Sequence, residues 1–468
     1  MAQSEEKIQE NGNGGENPLG TEKINKLMTK FAVPSVIAML VTALYNIVDQ
    51  LFIGQAVGTL GNAATNVAFP LTTSCISLAL LFGIGGASSF NLAMGRGEKE
   101  KAGRYAGNAA TLLVGSGLVL LVITQLFLTP LLKFFGSPAD VLEYAKTYVR
   151  ITSFGFPALI LTSGGCHLIR ADGSPKMSMI CNLVGAIINT ILDAIFVLGL
   201  DLGMAGAAWA TIIGQFVSAA IVVWYLLHYK TVYLGKEEYC IQGKYALQVM
   251  SLGTASFFNQ IAMMIVQIVL NNSLTYYGAQ SEYGAAIPLA CAGIVMKVGQ
   301  LSFSFIIGIS QGTQPIESFN YGAGNYGRVK EAYMLASRVA GMISIISFAL
   351  FQLFPGQILA MFGSGSEAYF SFGKKFFRIF MFFTCVNFLQ PLTATFFTSI
   401  GKPQKGTFLS LTRQIVFLLP LILILPLFLG IEGIMYAGPV ADFTAAVIAI
   451  IMAKAEFKKM DALEVSAV

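Results

Sequence analysis

Apolar residues along this chain fall into twelve long runs separated by short polar stretches. The runs cover about 30–56, 63–95, 104–128, 142–169, 175–198, 206–228, 246–276, 285–324, 330–354, 369–400, 405–429 and 433–456. An α-helix needs ~20 apolar residues to cross the hydrocarbon core of a bilayer. Backbone polar groups in lipid must bond within their own segment, so runs of this length predict helices. Several runs exceed the requirement, which predicts helices that tilt or project past the bilayer. Residues 1–24 are rich in Glu, Asn and Gly and predict a disordered tail. No basic segment followed by a short apolar core and a small-residue cleavage site precedes the first run, so that run is expected to remain as a helix.

Composition supports the pattern. The chain has 468 residues, of which 55% are apolar and 11% charged; soluble domains carry about 25% charged residues. Mean hydropathy is +0.69. These values predict an all-α polytopic membrane protein and exclude a soluble enzyme or a nucleic-acid-binding domain. The six cysteines and two histidines are scattered without metal-ligand spacing. Neither a zinc site nor a disulfide framework is expected, and no cofactor.

Charge distribution changes the picture more than net charge does. Loops after the even-numbered runs hold Arg96, Lys99, Lys101, Arg104, Arg170, Lys176, Lys230, Lys236, Lys244, Arg328, Lys330, Lys402 and Lys405, whereas loops after odd-numbered runs hold Lys133 alone. The positive-inside rule then places both termini and the even loops in the cytoplasm of a multi-pass plasma (inner) membrane protein. Lys374, Lys375 and Arg378 depart from the rule and predict snorkelling or contact with a polar surface.

The chain repeats itself. SFNLAMGRGEKEKA (89–102) matches SFNYGAGNYGRVKE (318–331), ADGSPK (171–176) aligns with SIGKPQ (399–404), and LGMAGAAWA (202–210) with LGIEGIMYA (429–437). Each half carries six runs in the same order and orientation. The repeat predicts two six-helix bundles related by a pseudo-two-fold axis along the membrane normal, an architecture used for alternating access. The expected divisions are a tail (1–24), an N-terminal lobe (25–228), a cytoplasmic linker (229–245), a C-terminal lobe (246–456) and a second tail (457–468).

Two carboxylates interrupt the apolar runs of the first half. Asp49 lies in ALYNIVDQLFIG with Tyr45 and Asn46 about one turn earlier; Asp193 lies in INTILDAIFVLGLDLG with Asn189 one turn earlier on the same face. A charged residue at bilayer depth costs roughly 2.5–3.5 kcal/mol on insertion scales, so each acid is a candidate functional group. Two carboxylates brought close cannot both ionise without a cation or a shared proton.

Taken together, PSVIAMLVTALYNIVDQLFIG, the two SFN turns, IRADGSPK, NTILDAIFVLGLDLGMAGAAWAT and SQGTQPIESFNYGAGN resemble the MATE (multidrug and toxic compound extrusion) family, in particular its DinF-like branch. The resemblance spans about residues 25–455. It implies a secondary active exporter of bulky, often cationic organic compounds, driven by inward H⁺ or Na⁺. It also implies a cation or proton site at Asp49, Asn189, Asp193 and Thr211, whose oxygens suit a small hard cation. A lipid or lipid-linked oligosaccharide flippase of the same superfamily is the alternative. Expected partners are small organic molecules and the bilayer, with the protein acting as a monomer.

The repeat supplies an internal control. Leu270 and Leu421 fall at the counterparts of Asp49 and Asp193, so coupling is assigned to the first half unless Glu317 or Asp442 contributes. Polar residues in the second half include Gln260, Gln267 and Asn271 in run 7 and Lys297 and Gln300 in run 8. With Tyr45 and Asn46, these are candidates for the substrate cavity. Glu317 and Asp442 are candidate gating or interhelical residues.

Overall fold

The computed structural model describes residues 17–137, 139–284, 286–362 and 366–466. Most of the predicted first tail lies outside these residues. Residues assigned to that tail after position 16 instead form a short helix, Pro18–Thr21, capped by the Asn17 side chain, which accepts from the Leu19 amide at 3.0 Å.

Twelve helical units follow, labelled in chain order: α1 (Ile24–Ala56), α2 (Thr59–Gly95), α3 (Lys99–Leu126), α4, α5 (Pro175–Asp193), α6 (Gly203–Leu227), α7 (Gly243–Ala279), α8 (Ala286–Gly322), α9 (Tyr326–Leu353), α10, α11 and α12 (Ile431–Ser466). Ten described helices are each long and apolar enough to cross a membrane. The fourth and tenth predicted runs are broken. α4 consists of Ala139–Thr152 and Phe156–Ala171 joined by a 3₁₀ turn at Ser153–Gly155; α10 consists of Glu367–Phe380 and Leu389–Ser399 joined by turns. Both breaks carry proline close by, Pro157 and Pro391, which removes a helical donor. α5 continues as a π-helical stretch over Ala194–Gly199, and α11 runs as Pro403–Leu411, a π stretch Thr412–Leu418 and Leu419–Leu429. The repeat seen in sequence therefore extends to the irregularities.

Buried apolar residues form three clusters. One joins α1–α6 with the start of α7, a second joins residues 19–32 with residues 306–460, and a third lies within residues 266–441. The first turns of α1, through Ile24, Leu27, Met28 and Phe31, thus pack with helices of the second half.

One end of the bundle is shut by backbone-to-backbone contact. A Cβ on Gly85 of α2 would stand 1.9 Å from the Val249 carbonyl of α7, and one on Gly253 of α7 1.8 Å from the Leu81 carbonyl. α8 meets α1 in the same way: a Cβ on Gly308 would lie 2.5 Å from Val36 Cα, and one on Gly312 2.5 Å from Ala32 Cα. The pseudo-two-fold axis exchanges these two crossings. Small residues at such seams let helices approach where lipid supplies no hydrophobic drive. Hydrogen bonds fasten the same end. Gln314 Nε2 donates to Ser88 Oγ at 2.7 Å, Arg170 Nη2 to Gln311 Oε1 at 3.1 Å, and Asn320 Nδ2 to the Leu19 carbonyl at 2.8 Å. This is the end that carries the basic loops.

The segment between the halves is tied down there too. Asp172 accepts from the Tyr225 hydroxyl, the Lys230 and Thr231 amides and the Thr231 hydroxyl, and Asn108 clasps Glu238, Cys240 and Gln242 through their backbones. At the other end, Lys375 pairs with Glu432, and Arg378 Nε donates to the Gln352 carbonyl at 3.3 Å. Polar contacts rather than a basic loop thus account for these cations.

Candidate functional site

Three helices assemble the acid pair. α5 and α6 come together because glycine faces glycine: a Cβ on Gly214 would be 2.7 Å from the Gly185 carbonyl and 3.1 Å from Asn189 Cβ. That approach sets Asn189 against Thr211, and Asn189 Nδ2 donates to Thr211 Oγ1 at 3.3 Å. Thr211 Oγ1 itself donates to the Ala207 carbonyl at 2.9 Å, so towards the site it can only accept. α1 packs along α5 and brings Asp49 beside Asp193, close enough for the two carboxyls to share a proton. Asp193 is the last residue before the π stretch, a feature common where helices carry function.

The four residues that the sequence singles out are therefore brought together. Asp193 is fully buried, and Asn189 and Thr211 nearly so. Both Asp193 carboxyl oxygens, Asp49 Oδ1 and Asn189 Oδ1 are buried without a hydrogen-bond donor among the described residues. A buried acceptor left unsatisfied costs about 1–3 kcal/mol, more if charged. Four such oxygens converging on one pocket fit a proton shared by the carboxyls or a small cation held between them. No cluster of three His, Cys, Asp or Glu side chains suited to a metal occurs among the described residues, so any cation here relies on the amide and hydroxyl oxygens as well.

Two tyrosines complete the pocket. Tyr45, expected in the substrate cavity, instead lies with its hydroxyl near Thr211 and both acids. Tyr148 of α4 reaches the same place. Tyr148 carries no signal in the sequence, because its surroundings, AKTYVRIT, read as an ordinary amphipathic segment.

The remaining candidates are dispersed. Asn46 is exposed on α1 and Gln260 half-buried on α7. Gln267 Nε2 donates to Asn271 Oδ1 at 2.9 Å on the same helix. Lys297 and Gln300 are exposed on α8. Glu317 is buried near Ser399 with its Oε1 unpartnered. Asp442 is buried and accepts from Arg413 Nε at 2.5 Å. The partner was overlooked, although an arginine within the eleventh apolar run was the signal for it.

That ion pair occupies an informative position. By the aligned repeat segments, Arg413 and Asp442 correspond to Gly185 and Gln215. The second half therefore places a fixed ion pair at positions where the first half has an uncharged glycine and glutamine. Removing one partner of a buried pair is costly, since the other charge stays behind. Arg413→Met should lower stability by about 3–5 kcal/mol, seen as a lower Tm in detergent, and adding Asp442→Leu should restore most of it.

The arrangement and the chain-wide pattern agree with comparison to known proteins. A family model described as MatE matches residues 34–195 and 255–424. The chain belongs to the MATE family. It is a multi-pass transporter and not an enzyme. Among similar proteins is the multidrug export protein MepA of Staphylococcus aureus (strain NCTC 8325 / PS 47), 22% identical over 428 residues that cover 91% of this chain and 93% of the relative. Solved structures with the same fold include a MOP superfamily transporter from Pyrococcus furiosus, with a TM-score of 0.88 at 22% identity over 95% of this chain and 98% of that one. Another is an outward-facing multidrug resistance MATE family transporter, with a TM-score of 0.87 at 22% identity and the same coverage. The twelve-unit all-helical architecture of this MATE chain is therefore one already seen in crystals.

Proposed function

We propose that this protein is a secondary active multidrug exporter of the plasma membrane that exchanges bulky organic compounds for inward-moving H⁺ or Na⁺. The observation that carries the proposal is the set of donor-free buried oxygens on Asp49, Asn189 and Asp193. An ion or proton entering from outside neutralises the acid pair and alters how α1 packs on α5. Substrate affinity falls, substrate leaves, and the emptied transporter reorients. Coupling of this kind requires each ligand to bind the two conformations with different affinity. The multidrug export protein MepA, similar over most of its length, supports drug-like substrates.

Finer points belong to the same proposal. Both termini and the basic loops lie in the cytoplasm, so the shut end faces inward and the conformation opens outward. Residues 25–228 and 246–456 act as two lobes joined by 229–245. The chain sits in the DinF-like branch, because its second half has no acid on α7 and none on α10 beyond Glu367 at that helix's first residue, and it works as a monomer. Dye flux in proteoliposomes under separately imposed Na⁺ and pH gradients tests the proposal. Acceleration by one gradient is expected, and flux indifferent to both would overturn it.

A further inference from the structure

α8 presents two kinds of surface along its length. Towards the shut end, Gly308 and Gly312 abut α1. About three helical turns away on the same stripe stands Lys297, since 3.6 residues per turn return the helix to nearly the same heading. The stripe around it is formed by Ala290, Gly293, Lys297 and Gln300, all exposed, with Leu289 the one exposed bulky apolar side chain at its edge among the described residues. Exposed stripes elsewhere are bulky and apolar, as on α9, where Met342, Ile345, Ile346 and Leu350 stand out. Small and polar side chains mark a surface facing water between the halves rather than lipid. A lysine at this depth is expensive unless it faces such a space.

Depth can be fixed from the Gly308–Val36 contact. α1 and α8 run in opposite directions from it, and at 1.5 Å per residue Lys297 lies within about 3 Å of the level of Asp49. No carboxylate lies within ion-pair distance of Lys297 among the described residues. The helical lysines and arginines of the second half that pair with acids, such as Lys330, Lys375 and Arg413, do so at other places.

We infer that Lys297 is a specificity-determining residue that recognises an acidic group on the transported compound. The substrates it selects are amphiphilic organic molecules bearing a carboxylate or comparable acid, zwitterions included. A charged hydrogen bond to the ammonium holds that group on the second-half wall, with Gln300 one turn on as a neutral neighbour. The opposite half keeps its own acids for the coupling ion. This inference rests on the export proposal and narrows its substrate class.

The test uses a matched pair of xanthene dyes, rhodamine 110 with a free carboxylate and its methyl ester rhodamine 123, with the full-length protein in lipid nanodiscs. Equilibrium binding is measured without any gradient. The unmutated protein should bind the free acid more tightly. Lys297→Met should weaken acid binding about tenfold or more, the size of one charged hydrogen bond, with the ester changed less than twofold. Lys297→Arg should keep the acid preference. Equal affinity for both dyes in the unmutated protein, or parallel losses for both in Lys297→Met, would overturn the inference. Gradient-driven flux of the same dyes in proteoliposomes separates the two proposals. Flux without discrimination between acid and ester sinks the role of Lys297 and leaves export intact. Acid-selective binding that Lys297→Met removes, with no flux, leaves the Lys297 site and sinks export.

Discussion

Asp193→Asn should abolish gradient-driven efflux while the protein folds at least as well as before. The carboxylate is fully buried and neither oxygen has a donor among the described residues, so its charge is costly in the resting fold. Asparagine is nearly the same shape and removes that charge, hence thermal stability in detergent should be equal or higher. Coupling has the opposite dependence. Driving a two-state equilibrium from 1:99 to 99:1 takes a differential affinity of about 5.5 kcal/mol. A cation or proton seated between two carboxylates can provide such a difference, whereas an amide beside one carboxylate forfeits most of it. Efflux under an imposed gradient is therefore expected to fall at least tenfold, towards the level of empty vesicles. Asp49→Asn should act in the same direction. Thr211→Val should act more weakly, because Thr211 gives one neutral oxygen and spends its proton on the Ala207 carbonyl. Dye flux and a melting curve on the same preparations check both halves of the expectation.

The second large effect concerns the shut end of the bundle. Gly253→Leu should open it. Any side chain at this position runs into the Leu81 backbone, with a Cβ only 1.8 Å from its carbonyl oxygen, so no rotamer relieves the clash. Overpacking a fitted interface costs about 1–3 kcal/mol. Each 1.4 kcal/mol is about tenfold in population. A cysteine replacing Ser88, which sits under Gln314 at this seam, then reports the change. In a background without other cysteines, a membrane-impermeant maleimide should label it at least tenfold faster in Gly253→Leu. Gly115→Leu, where the added side chain meets open space, should leave labelling unchanged. Equal labelling in all three proteins would mean that the glycine seam does not hold this end closed.

Both expectations rest on features of different legibility in the sequence. The acids of α1 and α5 were readable because charge in an apolar run has no cheap explanation, and the repeat showed their counterparts to be leucines. Thr211 entered through family resemblance, and the structure supplies its contact with Asn189. Tyr148 was not readable, because it reaches the site only through the way the first part of α4 leans on α2 and α6. Arg413 was readable and overlooked; the same reasoning about charge in an apolar run applied to it. The breaks in α4 and α10 escaped since hydropathy reports burial in lipid and is blind to the backbone path. Tyr45 was assigned to the substrate cavity from its position beside Asn46, yet neighbours in a helix point about 100° apart, and only the packing decides which of them meets the acids. The glycine seam was visible as composition but not as contact, since closeness of two backbones depends on the partner helix.

Antiport is reciprocal, and this permits a direct test of the acid pair. If ion and substrate share one conformational cycle, a substrate gradient must drive the ion as surely as the ion drives substrate. Proteoliposomes loaded with a transported dye and diluted into dye-free buffer should take up the coupling ion, seen as internal acidification or as entry of radioactive Na⁺. Ion uptake should vanish in Asp49→Asn and Asp193→Asn while binding of the dye persists. Dye-driven ion uptake that survives in both variants would contradict the assignment of coupling to this pair.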